Sequence, residues 1–324
     1  MIGYELDSNL FAITLPDAKI IGARNLLESS VCDPGNRIST LRDVQELRVN
    51  MTHWQGSNLI CRFFAEPVNR MLSFADSNET WIRCSKYDHW HCFSSVIFFL
   101  RDLAKRENEW KNLFCGTIEE LLPIHKRLSG PRQCLPVLWT NGDATLTRFP
   151  AINWRAREFS SEEISDFISA FANSQDLSYI NENELIAQAA MVVEWAGSSI
   201  SEELIPGMGN MSALSWMGQG HARHGIASRI QVGVYIWLAL RRIRISPFYL
   251  RSSRNISSYF LTRTTDTEIT QCANTHLVKR IRLGARWNEF AHLALSLHQY
   301  PELKPSCPAH YSSLAALKAI FCRV

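Results

Sequence analysis

Asp143 closes an apolar run, Leu135-Pro136-Val137-Leu138-Trp139-Thr140, that turns polar at Asn141-Gly142-Asp143. Such a run reads as a buried strand delivering one carboxylate at its end. Glu184 stands at the start of a helical pattern, Asn183-Glu184-Leu185-Ile186-Ala187. Taken singly, Asp143 serves equally as a turn residue and Glu184 as an acid at a helix N-terminus. Further along, Arg241, Arg242, Arg244, Arg251, Arg254 and Arg263 concentrate positive charge beyond what the formal net charge of +3 suggests. The planar guanidinium suits phosphate oxygens, so this segment is a candidate nucleic-acid surface; the ordinary alternative is a set of solvated strand edges. His221, Arg223 and His224 lie in a Gly-rich loop nearby. A third group, Cys84, His89, His91 and Cys92, has the side-chain types that hold zinc. Its spacing is irregular and His91 adjoins Cys92, which suits a packed turn better than a structural zinc site.

These residues need elements to position them. After Asp143, Ala151-Ile152-Asn153-Trp154 reads as a second strand. Ser160 or Ser161 with Glu163 looks like the cap of a short helix carrying Ile164, Phe167, Ile168 and Phe171. Leu177–Ile180 is the candidate third strand, and Glu184 opens a helix running through Trp195. Ser201–Pro206 reads as the fourth strand, Met211–Gly220 as a short helix ended by glycine, and Ala222–Arg242 as the longest helix. Ile243, Ile245 and Phe248 mark a fifth strand, and Ile256–Thr262 starts a last helix.

In this order, four pieces resemble the ribonuclease H-like domain of retroelement reverse transcriptases. They are the strand ending at Asp143, the helix at Glu184, Gly209-Asn210-Met211-Ser212-Ala213, and Asn255-Ile256-Ser257-Ser258-Tyr259-Phe260-Leu261-Thr262-Arg263. The resemblance implies four carboxylates: a strand-end Asp, a helix Glu, an Asp before Asn, and an Asp in the last segment. The first two match as Asp143 and Glu184, while Gly209 and Tyr259 occupy the other two positions. It further implies two Mg²⁺ ions about 4 Å apart, one activating water and one stabilising the leaving oxygen of an RNA strand. Magnesium takes hard oxygen ligands. A glycine supplies none, and a phenol with a pKa of about 10 is neutral where an anion is needed. Asp143 and Glu184 remain the candidate metal ligands; Asp176, Glu182 and Glu203 are the available substitutes.

The N-terminal segment extends the resemblance. Ile2-Gly3-Tyr4-Glu5-Leu6-Asp7 followed by Leu15-Pro16-Asp17-Ala18-Lys19 is similar to the hairpin just after the polymerase palm of reverse transcriptases. Phe11, Ile13 and Leu15 alternate as in a short strand, and Pro16-Asp17 opens a helix. Helical patterns follow at Asp17–Ser30, Thr40–Met51, Ile60–Phe74 and His91–Asn108, as a thumb and connection region requires. No Tyr-x-Asp-Asp and no adjacent Asp pair occurs, so this chain alone is not expected to polymerise; a palm would have to come from another chain.

Composition sets the outer limits. Hydrophobic residues make up 46%, enough for a sizeable core. The 9 cysteines include no Cys-x-x-Cys pair, which suits a reducing compartment. No secretory signal or membrane span is evident, so the expected setting is intracellular, cytoplasmic or nuclear. The expected fold is α/β: a ribonuclease H-like mixed five-stranded sheet flanked by helices over residues 136–263. A post-palm remnant (1–19) and a helical region (20–135) precede it, and a helical or irregular tail (264–324) follows. The expected activity is a weakened or lost hydrolysis of RNA in RNA–DNA hybrids. The alternatives are a non-catalytic nucleic-acid-binding module and a working nuclease with substitute ligands.

Overall fold

The computed structural model describes residues 3–117, 137–167, 180–195 and 203–291, with brief interruptions inside these spans. The chain divides into two compact units, the first drawn from Met1–Cys134 and the second from Leu135–Leu295.

The first unit is mainly helical. A hairpin of β1 (Glu5–Asp7) and β2 (Ala12–Thr14) leads into α1 (Asp17–Ser29). Next come β3 (Cys32–Asp33), β4 (Ile38–Thr40) and α2 (Leu41–Trp54), whose first turn is capped by the Thr40 hydroxyl. The chain continues through α3 (Cys61–Leu72), β5 (Trp81–Arg83), α4 (Tyr87–Ala104), α5 (Glu107–Leu113) and β6 (Cys115–Thr117). The strands form two small sheets, β1-β2-β6 and β3-β4-β5; the expected N-terminal hairpin is β1-β2, whereas β3 to β6 lie in a region read as helical. Trp54, Trp110 and Phe114 meet edge to face at the core, in the geometry that aromatic quadrupoles favour.

The second unit is built on one mixed sheet. Strands β7 (Val137–Gly142), β8 (Arg148–Asn153) and β9 (Glu158–Glu163) form an antiparallel meander. Helix α6 (Ile180–Trp195) then carries the chain to β10 (Glu203–Met208), which lies parallel to β7 on its other side. Helices α7 (Met211–Gln219) and α8 (Gly225–Arg241) follow, then β11 (Arg244–Ile245) and β12 (Phe248–Tyr249), both parallel to β10. The unit continues with α9 (Ile256–Arg263), α10 (Asp266–His276) and β13 (Lys279–Arg280).

The fold class is therefore α/β, and among the described residues the sheet has seven strands rather than five. Two short segments, β11 and β12, share the place of the expected fifth strand, while β13 adds to the far edge beside β9. The segment read as a helix cap at Ser160 or Ser161 is strand β9. Its acids find distant partners: Glu158 accepts from the Trp195 indole, and Glu162 from the Leu283 N–H. The strand proposed over 177–180 lies outside the described residues except for Ile180, which opens α6 four residues ahead of Glu184. Residues 292–324 also lie outside them.

Helix α6 is buried on nearly every side, since Leu185, Ile186, Ala189, Ala190, Val192 and Val193 are all core. A helix apolar around its whole circumference belongs in an interior, and here it packs on the sheet and against α7 and α8. Its last turn holds the C-terminal part of the unit. Glu194 Oε1 accepts from Gly284 N (2.6 Å) and Trp287 N (2.9 Å), capping the turn that buries Trp287 and Phe290. Glu194→Ala is expected to destabilise the unit by about 1–2 kcal/mol, the usual effect of losing a cap. Amide exchange at residues 286–291 should quicken in this variant; unchanged protection there would contradict the assignment. Among the described residues no helix is long and apolar enough to cross a membrane.

Candidate functional site

Three parallel strands end in one row. Gly142 of β7 sits opposite Met208 of β10, and Met208 opposite Tyr249 of β12. One step beyond lie Asp143, Gly209 and Leu250, where Leu250 N donates to Met208 O (3.0 Å). In open α/β sheets, ligands bind outside the carboxyl ends of strands whose connections leave in opposite directions. Here β8 flanks one side of β7 and β10 returns on the other.

Glu184 reaches this row from α6. Its side chain is buried, hydrogen-bonded to Asp143, and receives the Ala144 N–H. Burial pushes the Glu184 carboxyl up to about 9; the Asp143 charge and the hydrogen bond to Asp143 add to this, and the Ala144 N–H opposes it. At neutral pH Glu184 thus keeps its proton and donates to Asp143. Its Oε2 is buried without a hydrogen-bond partner, as are both amide atoms of Gln188 one turn later. The Gln188 amide fills the space above Gly142, where an added Cβ would come within 2.6 Å of its Nε2. The i, i+4 spacing of Glu184 and Gln188 was visible in the sequence, but nothing local showed that both face the strand ends.

Side-chain amides tie the surrounding elements together. Asn210 caps α7 by accepting from Ser212 N (2.8 Å) and Ala213 N (3.0 Å), and it donates to Asn181 Oδ1 (2.8 Å) at the start of α6. Buried Asn255 donates to Gly142 O (3.0 Å), which pins the entry of α9 to the end of β7. Tyr259 follows one turn later, with its N–H bonded to Asn255 O (2.9 Å).

Position 209 lies against Asp143. A Cβ built on Gly209 would stand 3.6 Å from Asp143 Oδ1 and 4.0 Å from Leu250 O, both ordinary contacts. Gly209 is not among the residues of positive φ, so its backbone does not require glycine. A side chain added at 209 therefore has space beside Asp143. Among the described residues no three His, Cys, Asp or Glu side chains gather in one place. Asp143 with a protonated Glu184 suits at most one weakly held hard cation, and the donor set for two ions is not met.

Of the arginines, Arg251 and Arg254 are exposed in one tight turn before α9, closed by Arg254 N donating to Arg251 O (2.7 Å). Arg241 is half-buried with its guanidinium 3.6 Å from the Trp237 ring centroid. Burial and nearby Arg286 lower its pKa to about 10, against the pull of Glu289. Arg244 is half-buried on β11, and Arg242, His221, Arg223 and His224 lie outside the described residues. In the first unit, buried Cys84 donates to Lys86 O (3.2 Å), and His89 packs edge-on against Phe74.

The fold and this row of residues define an α/β protein with a hydrogen-bonded carboxyl pair, buried Glu184 and half-buried Asp143, at the carboxyl ends of parallel strands. No protein-family model matches the sequence, and no curated protein matches it. Among solved structures, the chain is similar to a foamy viral protease-reverse transcriptase, described as a dRH form in complex with double-stranded DNA. The TM-score is 0.25 at 12% identity, over 78% of this chain and 37% of the other. The chain therefore spans little more than a third of that protein, and so loose a likeness fixes neither family nor function.

Proposed function

We propose that the second unit is a ribonuclease H-like domain with half its metal-binding carboxylates, in a chain descended from a retroelement reverse transcriptase. It holds nucleic acid and hydrolyses it poorly or not at all. The observation that carries this reading is the contact of Asp143 with Glu184, with Gly209 aimed at the same pair. The order of elements supports it: three antiparallel strands, a helix, a parallel strand, helices, a further parallel strand and a last helix. The helical first unit then corresponds to thumb and connection, polymerisation needs a palm that residues 1–324 do not supply, and the setting is intracellular, cytoplasmic or nuclear.

Substitute ligands are poorly placed. Glu203 pairs with Val137 at the opposite end of the strands from Asp143. Glu182 precedes Glu184 by two residues, which turns it to the far side of a helix. Asp176 lies outside the described residues. The direct test is Mg²⁺-dependent cleavage of the RNA strand of a hybrid by the purified chain. Robust cleavage that Asp143→Asn abolishes would overturn this reading.

Binding is expected to persist without cleavage. If Arg251 and Arg254 contact phosphates, log affinity falls linearly with log salt, because each contact releases counterions. Arg251→Ala with Arg254→Ala should lower the slope for a hybrid by about 2, roughly one for each phosphate no longer neutralised. A slope unmoved by the double substitution would return these arginines to the role of solvated surface.

A further inference from the structure

Helix α9 is turned inside out. Ile256, Tyr259, Phe260 and Arg263 follow i, i+3, i+4, i+7 spacing and share one face, and that face is exposed: Ile256 by 70%, Tyr259 by 44% and Phe260 by 38%. The buried side carries Ser258 and Leu261, with Asn255 at its entry. A surface helix ordinarily buries its apolar stripe and shows its polar one. The Arg263 guanidinium lies 4.6 Å from the Tyr259 ring centroid, so the face joins aromatic rings to a cation.

The charge along this stretch of sequence is one-sided. Between Glu203 and Asp266 there is no Asp or Glu, while eight arginines and no lysine occur. The next acids along the chain are already engaged. Asp266 pairs with Arg148 (3.4 Å) and Arg280 (3.3 Å), and Glu268 closes a capping box with Thr265. Exposed Arg251 and Arg254 form the turn that leads into the face, and Tyr249, 44% exposed, ends the strand before that turn.

We propose that the exposed face of α9, with Arg251 and Arg254, is a stacking platform for unpaired bases of a single-stranded nucleic acid. This rests on the nucleic-acid reading above and names the form of nucleic acid. A single strand offers open base faces to Tyr259 and Phe260 and phosphates to the arginines, and stacking of this kind tolerates any sequence. A duplex keeps its bases stacked on one another and offers only its ends. An apolar protein partner would match Ile256, Tyr259 and Phe260 but would leave the arginines without counter-charges. Asn255 ties the start of this face to Gly142. A strand held on it thus runs beside the Asp143–Glu184 pair, with Tyr259 holding a base where the resemblance puts a metal ligand.

The test uses the full chain with labelled single-stranded DNA, the same strand carrying abasic sites, and an RNA–DNA hybrid of equal length. Tyr259→Ala and Phe260→Ala should each weaken single-strand binding by about 5- to 150-fold, the range for removing one stacked ring. The salt slope should stay unchanged, and Tyr259→Phe should restore affinity. Abasic sites should weaken the parent chain to a similar extent, and 2-aminopurine in the strand should be quenched by the parent but not by Tyr259→Ala. Both aromatics are exposed, so these variants are expected to fold, with circular dichroism as the check. Salt-dependent hybrid binding with no response to Tyr259→Ala or abasic sites would overturn the platform and leave the nucleic-acid reading standing. Failure to bind any nucleic acid would overturn both. Self-association of the parent chain that Tyr259→Ala abolishes would give the face to a second copy and overturn the platform.

Discussion

Gly209→Asp combined with Tyr259→Asp is expected to give the chain Mg²⁺-dependent cleavage of the RNA strand of a hybrid, while each single variant stays close to background. The reason is geometric at the first position. A Cβ at 209 lies 3.6 Å from Asp143 Oδ1 without a clash, so a carboxylate there joins the existing pair. At the second, the new carboxylate would sit in the first turn of α9, where the helix dipole favours an anion. Asn255 holds that turn to the end of β7. Residues serving one metal cluster act as a unit, so the gain should be strongly non-additive, on the order of 10²-fold or more over either single change. A readout independent of turnover is available: Mg²⁺ should raise the melting temperature of the double variant and barely move that of the parent, because a ligand stabilises only the state it binds. Cleavage by the parent as fast as by the double variant would show that carboxylates at 209 and 259 are not what limits the site. Tyr259→Asp should also weaken single-strand binding, since it removes the ring.

Glu184→Gln is expected to stabilise the protein at alkaline pH and to flatten its stability profile. In the folded chain burial and Asp143 hold the Glu184 pKa near 9, against an ordinary value of 4.5. Between these limits the native state keeps a proton that the unfolded chain has released. Stability is then fully present below about pH 4.5, falls as pH rises towards about 9, and levels off beyond. One proton of difference gives a slope approaching about 1.4 kcal/mol per pH unit in mid-window. Glutamine keeps a donor for Asp143 and carries no charge, so the variant should lack this slope and be the more stable of the two chains at pH 8. Urea unfolding of both chains at several pH values measures it. Parallel profiles for the two would mean that Glu184 is ionised in the fold. The same proton works against metal capture, because a ligand must lose it first; Mg²⁺ binding by the double variant should strengthen as pH rises.

Much of the architecture was legible in the sequence because it depends on short-range rules. The apolar run into Asp143 is a strand, and the helical pattern at Glu184 is a helix through Trp195. Met211–Gln219 ends at Gly220 in the left-handed conformation, as a glycine after a helix suggests. These features are set by residues within one or two turns of each other, and a window of sequence contains all the partners.

Tertiary structure alone decided the rest. Glu158-Phe159-Ser160-Ser161-Glu162-Glu163 has the composition of a helix start, yet it is a strand between β8 and β13. Glu158 accepts from Trp195, 37 residues away, and Glu162 from Leu283, 121 residues away, as well as from neighbouring Ser160. Strand preference reflects such cross-strand packing more than intrinsic backbone tendency, so a local reading had no access to it. The candidate site divides the same way. Asp143 and Glu184 could be picked out as carboxylates at element ends. Only the register of β7 with β10 set Gly209 against Asp143, and only burial within the fold kept the proton on Glu184. Helix α9 is the clearest case: its spacing predicts an apolar stripe, which a local reading would bury. Its opposite side faces the core because Asn255 anchors to Gly142 and Ser258 and Leu261 pack inward, leaving Tyr259 and Phe260 at the surface.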